Sequence, residues 1–324
     1  MPSGLGAFQD ADTEAAHAAE VSDRAPPKSP GTIRRFACSA PTSGTDRCRM
    51  LYPQGMNIAV IIPAAGSSRR FNNAPTGLLE PKNKLDEDLG GRPVLQRTVE
   101  LFNKRDDVAA VIVAGPYDDE AFARFELRHG DKLALLGVTL CRGGEHHRGE
   151  TVKAALTHVP DDATHVAVHD AARPVTPEDL IDRVFDLASR HPAVIPVVQV
   201  ADTIKRLDPE PIEDTPADPA AAILGLGGDG PSDLRRVAET IDRTNLAYAQ
   251  TPQVFEKDLL LRAYAQTDTP STDDAGLVER LGETVVTTPG DPRNIKITTP
   301  ADIPLARAIA GFKPPAQRAT HKRF

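Results

Sequence analysis

Three clusters in this 324-residue chain, with a fourth, scattered group, have residue types that could handle a nucleotide's phosphates. The first is IAVIIPAAGSSRRF, residues 58–71, where an apolar run leads straight into Ala64, Ala65, Gly66, Ser67 and Ser68 and then into Arg69 and Arg70. Small residues let successive backbone N–H groups curl around anionic oxygens, and the guanidinium charges persist at any ordinary pH. The pattern is neither GxGxxG nor GxxxxGK[ST], since Gly66 is the loop's only glycine and no Gly-Lys-Ser/Thr follows. The ordinary alternative is a first strand that leaves through small residues for packing reasons.

The second cluster is HDAARP, residues 169–174. Asp170 could approach a nucleotide's magnesium and Arg173 could hold a phosphate; the alternative is a buried Asp–Arg pair that orients a loop. His169 reads as a packing residue. The third cluster is GGEHHRGET, residues 143–151, in which Gly143 and Gly144 precede a helix start that carries Arg148 and Thr151. A base or phosphate contact at the positive end of that helix would suit these residues. His146 and His147 are adjacent, point in different directions and make a poor chelate, so they read as loop histidines. The fourth group is scattered: Thr203, Arg243, Gln250-Thr251-Pro252-Gln253, and Lys296 in NIKIT, each of which alone reads as an ordinary polar group. No Ser-His-Asp or Cys-His arrangement stands out.

These clusters need elements to hold them. The segments IAVII, PVLQRTVELF, VAAVIVAG, a polar helix near 118–128, GVTLC, ETVKAALTHV and THVAVHD alternate strand with helix. That alternation predicts an α/β fold with parallel strands and crossover helices, and it places HDAARP at the carboxyl edge of a sheet, where ligands bind in such folds. Val94, Leu95, Thr98, Val99, Leu101 and Phe102 share one helix face and predict core. Thr176-Pro177-Glu178-Asp179 predicts an N-cap and a helix over about 177–190, and Thr299-Pro300-Ala301-Asp302 repeats the device for a helix near 300–311. NIKIT reads as a short strand. Strand-like VVQVADTIK and VAETID flank a stretch dense in Pro, Gly and Asp, which predicts an arm over about 199–243 with an irregular tip at 207–234. Residues 1–55 read as a flexible extension, 56–312 as the folded domain and 313–324 as a flexible basic tail.

Composition narrows the class. A formal charge of -8 argues against a nucleic-acid binder, while a small anionic ligand needs only a local cationic cluster. Cys38, Cys48 and Cys141 are odd in number and widely spaced, which suggests neither a disulfide framework nor a zinc site and fits the reducing cytoplasm. The longest apolar stretch, residues 58–65, is far below the roughly 20 residues that span a bilayer, and the acidic first 25 residues do not form a secretory signal.

In order along the chain, AAGxxRRF, a lysine near 82–84, GGxxxR, HDAARP, DTIK, IDR, TPQ, TDDA and NIKIT resemble the 2-C-methyl-D-erythritol 4-phosphate cytidylyltransferase family over residues 57 to about 311. The pentitol-phosphate (ribitol 5-phosphate type) cytidylyltransferases use similar motifs, and a nucleotide-binding regulator without turnover is a further alternative. The resemblance implies a Rossmann-like, mostly parallel sheet with flanking helices and a protruding β-arm. It implies transfer of a cytidylyl group from CTP to an alditol phosphate, with magnesium (Mg2+), in a cytoplasmic homodimer joined through the arm. By the same resemblance, Ala64, Ala65, Gly66, Ser68, Gly144, Arg148, Thr151 and Asp170 meet CTP, and Asp170 also meets the metal. Arg70, Lys296 and one of Lys82 or Lys84 are catalytic, and Arg173, Thr203, Arg243 and Thr251 meet the alditol phosphate, Thr203 and Arg243 from the neighbouring subunit. EPKNKLDEDLGGRP departs from the family's Pro-Lys-Gln: Lys82 keeps the proline, whereas Lys84 keeps the distance to Gly91-Arg92-Pro93 and is preferred for its reach. Thr151 stands where the family has serine, and the 143–148 loop, residues 72–79 and the arm tip look expanded.

Overall fold

The computed structural model describes residues 56–72, 83–212, 234–266 and 271–312. The expectations for residues 1–55, for Lys82, for most of the arm tip and for the tail at 313–324 lie outside the described residues.

The apolar run at Ile58–Pro63 is strand β1, with Ile58 to Ile62 fully buried. Such an unbroken run is what a strand covered on both faces requires. It pairs in parallel with β2 (Val108–Gly115) on one side and β4 (His165–Val168) on the other, and β3 (Thr139–Arg142) extends the sheet beyond β2. The remaining strands are β5 (Ala193–Gln199), β8 (Ala247–Ala249), β9 (Gln253–Glu256) and β10 (Val286–Pro289), giving the order β10-β5-β9-β4-β1-β2-β3 with β8 beside β5. Within this sheet, among the described residues, only β8 and β9 run against the direction of the other strands.

Side chains alternate across a strand, so β1 feeds two cores. Val60 and Ile62 pack with α2 (Val94–Glu100), α5 (Glu178–Ala188) and α8 (Asp302–Ile309) through Leu95, Phe185 and Ile303. Ala59 and Ile61 pack with α4 (Arg148–Leu156), α6 (Lys257–Ala265) and α7 (Ala275–Arg280) through Val152, Leu260 and Val278. Two short elements, α1 (Arg69–Asn72) and a 3-10 turn at Lys84–Asp86, follow β1, and α3 (Asp119–Leu135) joins β2 to β3. The mostly parallel α/β sheet with flanking helices is therefore the fold that the motif order implied.

The arm is a two-stranded antiparallel ribbon of β6 (Ile204–Pro211) and β7 (Arg235–Ile241) that, among the described residues, pairs with no other strand. Its Leu207 and Val237 are more than half exposed. Ordered pairing reaches Pro211 and resumes at Arg235, so the tip cannot begin at 207 as expected; β-pairing of the proline-rich RLDPEP carries the ribbon further.

Four local expectations need correction. The helix expected at 118–128 runs to Leu135. Thr176 does not cap α5, whose preceding residue is Pro177; its hydroxyl instead donates to Asn294 Oδ1 at 2.8 Å. At α8, Thr299 does not act as N-cap; the Asp302 carboxylate reaches back to the backbone N–H groups of Thr298 and Thr299, both at 2.7 Å. NIKIT is an irregular segment rather than a strand, held by Ile297 N–H donating to Ala172 O at 2.8 Å. Among the described residues no helix is long and apolar enough to cross a membrane.

Candidate active site

Strands β1, β3, β4 and β10 run in the same direction, so the segments that follow them converge on one edge of the sheet. Between them lies an open cavity of about 340 Å³, lined by residues 63–67, Arg69, Lys84, residues 144–148, Thr151, residues 170–172 and Lys296. Its floor is the small-residue loop after β1. A recess of about 470 Å³ adjoins the cavity, lined by residues 66–71, Lys84 and Thr298, so Lys84 borders both spaces. Within the loop, Ser68 holds φ at 55°, a left-handed conformation that costs an L-residue about 1–2 kcal/mol.

Asp170 is the electrostatic hub. Its Oδ2 accepts from Lys296 Nζ at 2.9 Å and from Arg173 Nε at 3.2 Å, and its Oδ1 lies 3.5 Å from Arg148 Nε. Burial pushes this carboxyl up, but Lys296, Arg148 and Arg173 outweigh burial and hold it well below the usual carboxylate range. Arg148 is gripped from behind by Asp274, a fully buried carboxylate whose Oδ2 is 2.8 Å from Arg148 Nη2 and whose Oδ1 accepts from the Tyr264 hydroxyl. The Asp170 backbone N–H donates to Thr251 Oγ1 at 3.1 Å. His169 Nε2 donates to Arg173 O at 3.2 Å, which leaves Nδ1, at 3.2 Å, as acceptor for the Thr251 hydroxyl. Burial pushes His169 down to about 4, so it stays neutral in this role.

The remaining motifs tie this hub to Lys296. Arg173 Nη1 donates to Asn294 O at 2.6 Å, and Asn294 Nδ2 donates to Thr251 O at 2.8 Å. Gln253 Nε2 donates to Asp273 Oδ2 at 2.9 Å while its Oε1 accepts the Ala275 N–H at 3.1 Å, which sets Asp274 toward Arg148. Opposite, Lys84 Nζ donates to Ile297 O at 2.9 Å, one residue from Lys296. Burial first, and then the Lys296 charge, push the Lys84 ammonium down to about 8. A cluster of Lys84, Lys296 and Arg69 around a loop of small residues has the charge and the open space to hold a polyphosphate.

The match to a family model decides between the readings left open by the motifs. The model described as 2-C-methyl-D-erythritol 4-phosphate cytidylyltransferase aligns with residues 58–219 and 231–311, passing over 220–230 in the arm. The chain belongs to this family. The cytidylyltransferase of Frankia casuarinae is 40% identical over 263 residues, which is 81% of this chain and 84% of that one. The Rhodococcus opacus cytidylyltransferase is 41% identical over 254 residues, 78% of this chain and 94% of its own length. Among solved structures, the crystal structure of the Thermus thermophilus cytidylyltransferase superposes with a TM-score of 0.54 at 29% identity, over 79% of this chain and all (100%) of that one. These names favour methylerythritol phosphate over the pentitol phosphates.

Most residues that the cytidylyltransferase motifs singled out do meet at one place. Ala64, Ala65, Gly66, Lys84, Gly144, Arg148, Thr151, Asp170 and Lys296 all line the cavity. Gly144 has room for no side chain, since a Cβ there would stand 2.1 Å from Glu150 Cβ, and its N–H donates to Thr151 Oγ1 at 3.2 Å. Others lie elsewhere. Arg70 and Ser68 line the recess, and it is Arg69 that borders the cavity. Arg173 is buried beneath Asp170, joining the Asp–Arg pair that was the alternative reading. The Thr251 hydroxyl is committed to Asp170 and His169, so the structure places it as a support below the cavity instead of at its surface. Thr203 and Arg243 are exposed at the base of the arm, and neither lines the cavity of its own chain. His147, expected to be a plain loop residue, caps α4 by accepting the Glu150 N–H at 3.2 Å. Sequence reasoning missed Asp274 and Tyr264: the TDDA motif carried a signal for the first, while nothing marked the second.

Proposed function

We propose that the protein transfers a cytidylyl group from CTP to 2-C-methyl-D-erythritol 4-phosphate, releasing pyrophosphate, as a nucleotidyltransferase of the non-mevalonate route to isoprenoid precursors. The observation that carries the reading is the approach of Lys84 to the main chain beside Lys296, both lining one cavity with the small-residue loop. The triphosphate would lie on residues 64–67 and the cytidine against Gly144, Arg148 and Thr151. An oxygen of the substrate phosphate attacks the α-phosphorus in line, forming the new P–O bond. The bond to the β-phosphate breaks, and pyrophosphate leaves with its electron pair. Catalysis rests on holding the reactants and neutralising charge, which Lys84, Lys296 and Arg70 supply, so no protein nucleophile is needed.

Mg2+ is part of the proposal. Among the described residues no group of three or more potential ligands gathers, and Asp170, which lines the cavity, is kept ionised by its neighbours. This suits a metal carried mainly by nucleotide phosphates and water, with Asp170 as its protein ligand, where it would supply charge neutralisation. The proposal also includes a homodimer in the cytoplasm, where thiols such as that of Cys141 stay reduced. The lone ribbon with exposed Leu207 and Val237, and the placement of Thr203 and Arg243 away from their own cavity, support a second subunit that receives the arm.

Two results are expected. With CTP and Mg2+, pyrophosphate release should be far faster with 2-C-methyl-D-erythritol 4-phosphate than with ribitol 5-phosphate; equal or reversed preference would reassign the substrate, and no release with either would leave the regulator. Because Lys84 is needed as an ammonium and its pKa is pushed down to about 8, kcat/KM for CTP should fall with unit slope as the pH rises past about 8. The limb in kcat should lie higher, since bound triphosphate favours the charged lysine. A profile that stays flat to pH 9.5 (roughly 1.5 units above that value) would remove Lys84 from the step.

A further inference from the structure

Ser68 lies in the phosphate loop yet lines the recess and not the cavity bordered by its neighbours Ser67 and Arg69. Its backbone is held at φ 55°, where glycine would rest without strain. What the side chain does there is specific. Ser68 Oγ donates to Asn83 Oδ1 at 3.1 Å and accepts the Lys84 N–H at 3.3 Å. Asn83 Oδ1 in turn accepts the Leu85 N–H at 3.1 Å, capping the turn that opens with Lys84. The Ser68 carbonyl accepts the N–H groups of Phe71 and Asn72, both at 3.0 Å, and so starts the helix that carries Arg70.

We infer that Ser68 is a positioning residue whose hydroxyl fastens the Lys84 turn to the phosphate loop, so that Lys84 is presented to the transferring phosphate from a fixed place. The inference rests on the proposed function for its kinetic part. The backbone cradle would survive with glycine at this position, but the fastening would not. In a conformation that disfavours serine, the side chain bridges two segments 16 residues apart in the chain.

The test uses the full-length protein with Ser68→Gly and Ser68→Ala. Both variants should keep the KM for CTP within about threefold, because the cradle is backbone, and both should lose about tenfold in kcat. Ser68→Gly should melt no lower than the parent, since glycine accepts the positive φ. In a Lys84→Ala background the same substitutions should change kcat less than about twofold, because the group they position is gone. Independently of turnover, exchange of the Lys84 and Leu85 amide hydrogens should quicken about tenfold in both variants. Wild-type kcat in a folded Ser68→Gly, or a tenfold loss that persists without Lys84, would overturn the proposal. So would unchanged amide exchange, even if the protein fails to turn over CTP and the functional reading itself falls.

Discussion

Lys84→Ala should lower kcat by on the order of 10²–10³-fold while the protein stays folded, the scale on which a single preorganised donor to a developing charge is felt. Lys84 borders both the cavity and the recess, and its ammonium is fixed by Ile297 O at 2.9 Å. Removing it takes one positive charge from the place where the triphosphate must pass its own charge to pyrophosphate. Lys296→Ala should be as severe, with an additional cost, because Asp170 loses its shortest contact, at 2.9 Å, and keeps only the two arginines. By contrast, Lys82→Ala should retain activity within a few-fold of the parent. Steady-state pyrophosphate release by the three purified variants checks the ranking; a larger loss from Lys82→Ala would return the role to the lysine that follows the proline.

Arg70→Ala and Arg243→Ala should each give a nearly inactive homodimer, yet verified mixed dimers of the two should regain up to about half the parental activity. In an isologous two-fold dimer one of the two mixed sites draws Arg70 and Arg243 from unmutated chains. The expectation follows from Arg243 standing exposed at the base of the arm, donating to Ala201 O, away from the cavity of its own chain. Mixed dimers that recover nothing would confine Arg243 to its own subunit and end the shared-site model.

The parts of this site legible in the sequence are those where residue type and local spacing suffice. The small residues after an unbroken apolar strand, the glycines ahead of Arg148, and the Asp170–Arg173 spacing of three all depend on neighbours in the chain, and all lie at the sheet edge where alternating strand and helix put them. Legibility failed where partners are distant. Lys296 reads as a solvated lysine until Asp170, 126 positions earlier in the chain, is found 2.9 Å from it. Thr176 has the local grammar of a cap, but Asn294 competes for its hydroxyl and wins because the buried amide needs that partner. Thr251 looked like a substrate ligand from motif order alone, whereas its hydroxyl is satisfied by His169 and the Asp170 N–H. β9 was hidden for a topological reason: inserted antiparallel between β4 and β5, it breaks the strand–helix alternation by which the others were found.

The account's central claim is that the substrate phosphate attacks the α-phosphorus of CTP directly. Incubating the protein with CTP, Mg2+ and 2-C-methyl-D-erythritol 4-phosphate carrying ¹⁸O in its phosphate, followed by phosphorus NMR and mass spectrometry of the products, tests that claim. All of the label should appear in the cytidine diphosphate product, including its bridging oxygen, and none in the pyrophosphate. Label in pyrophosphate, or hydrolysis of CTP with no diphosphate-linked product, would contradict it.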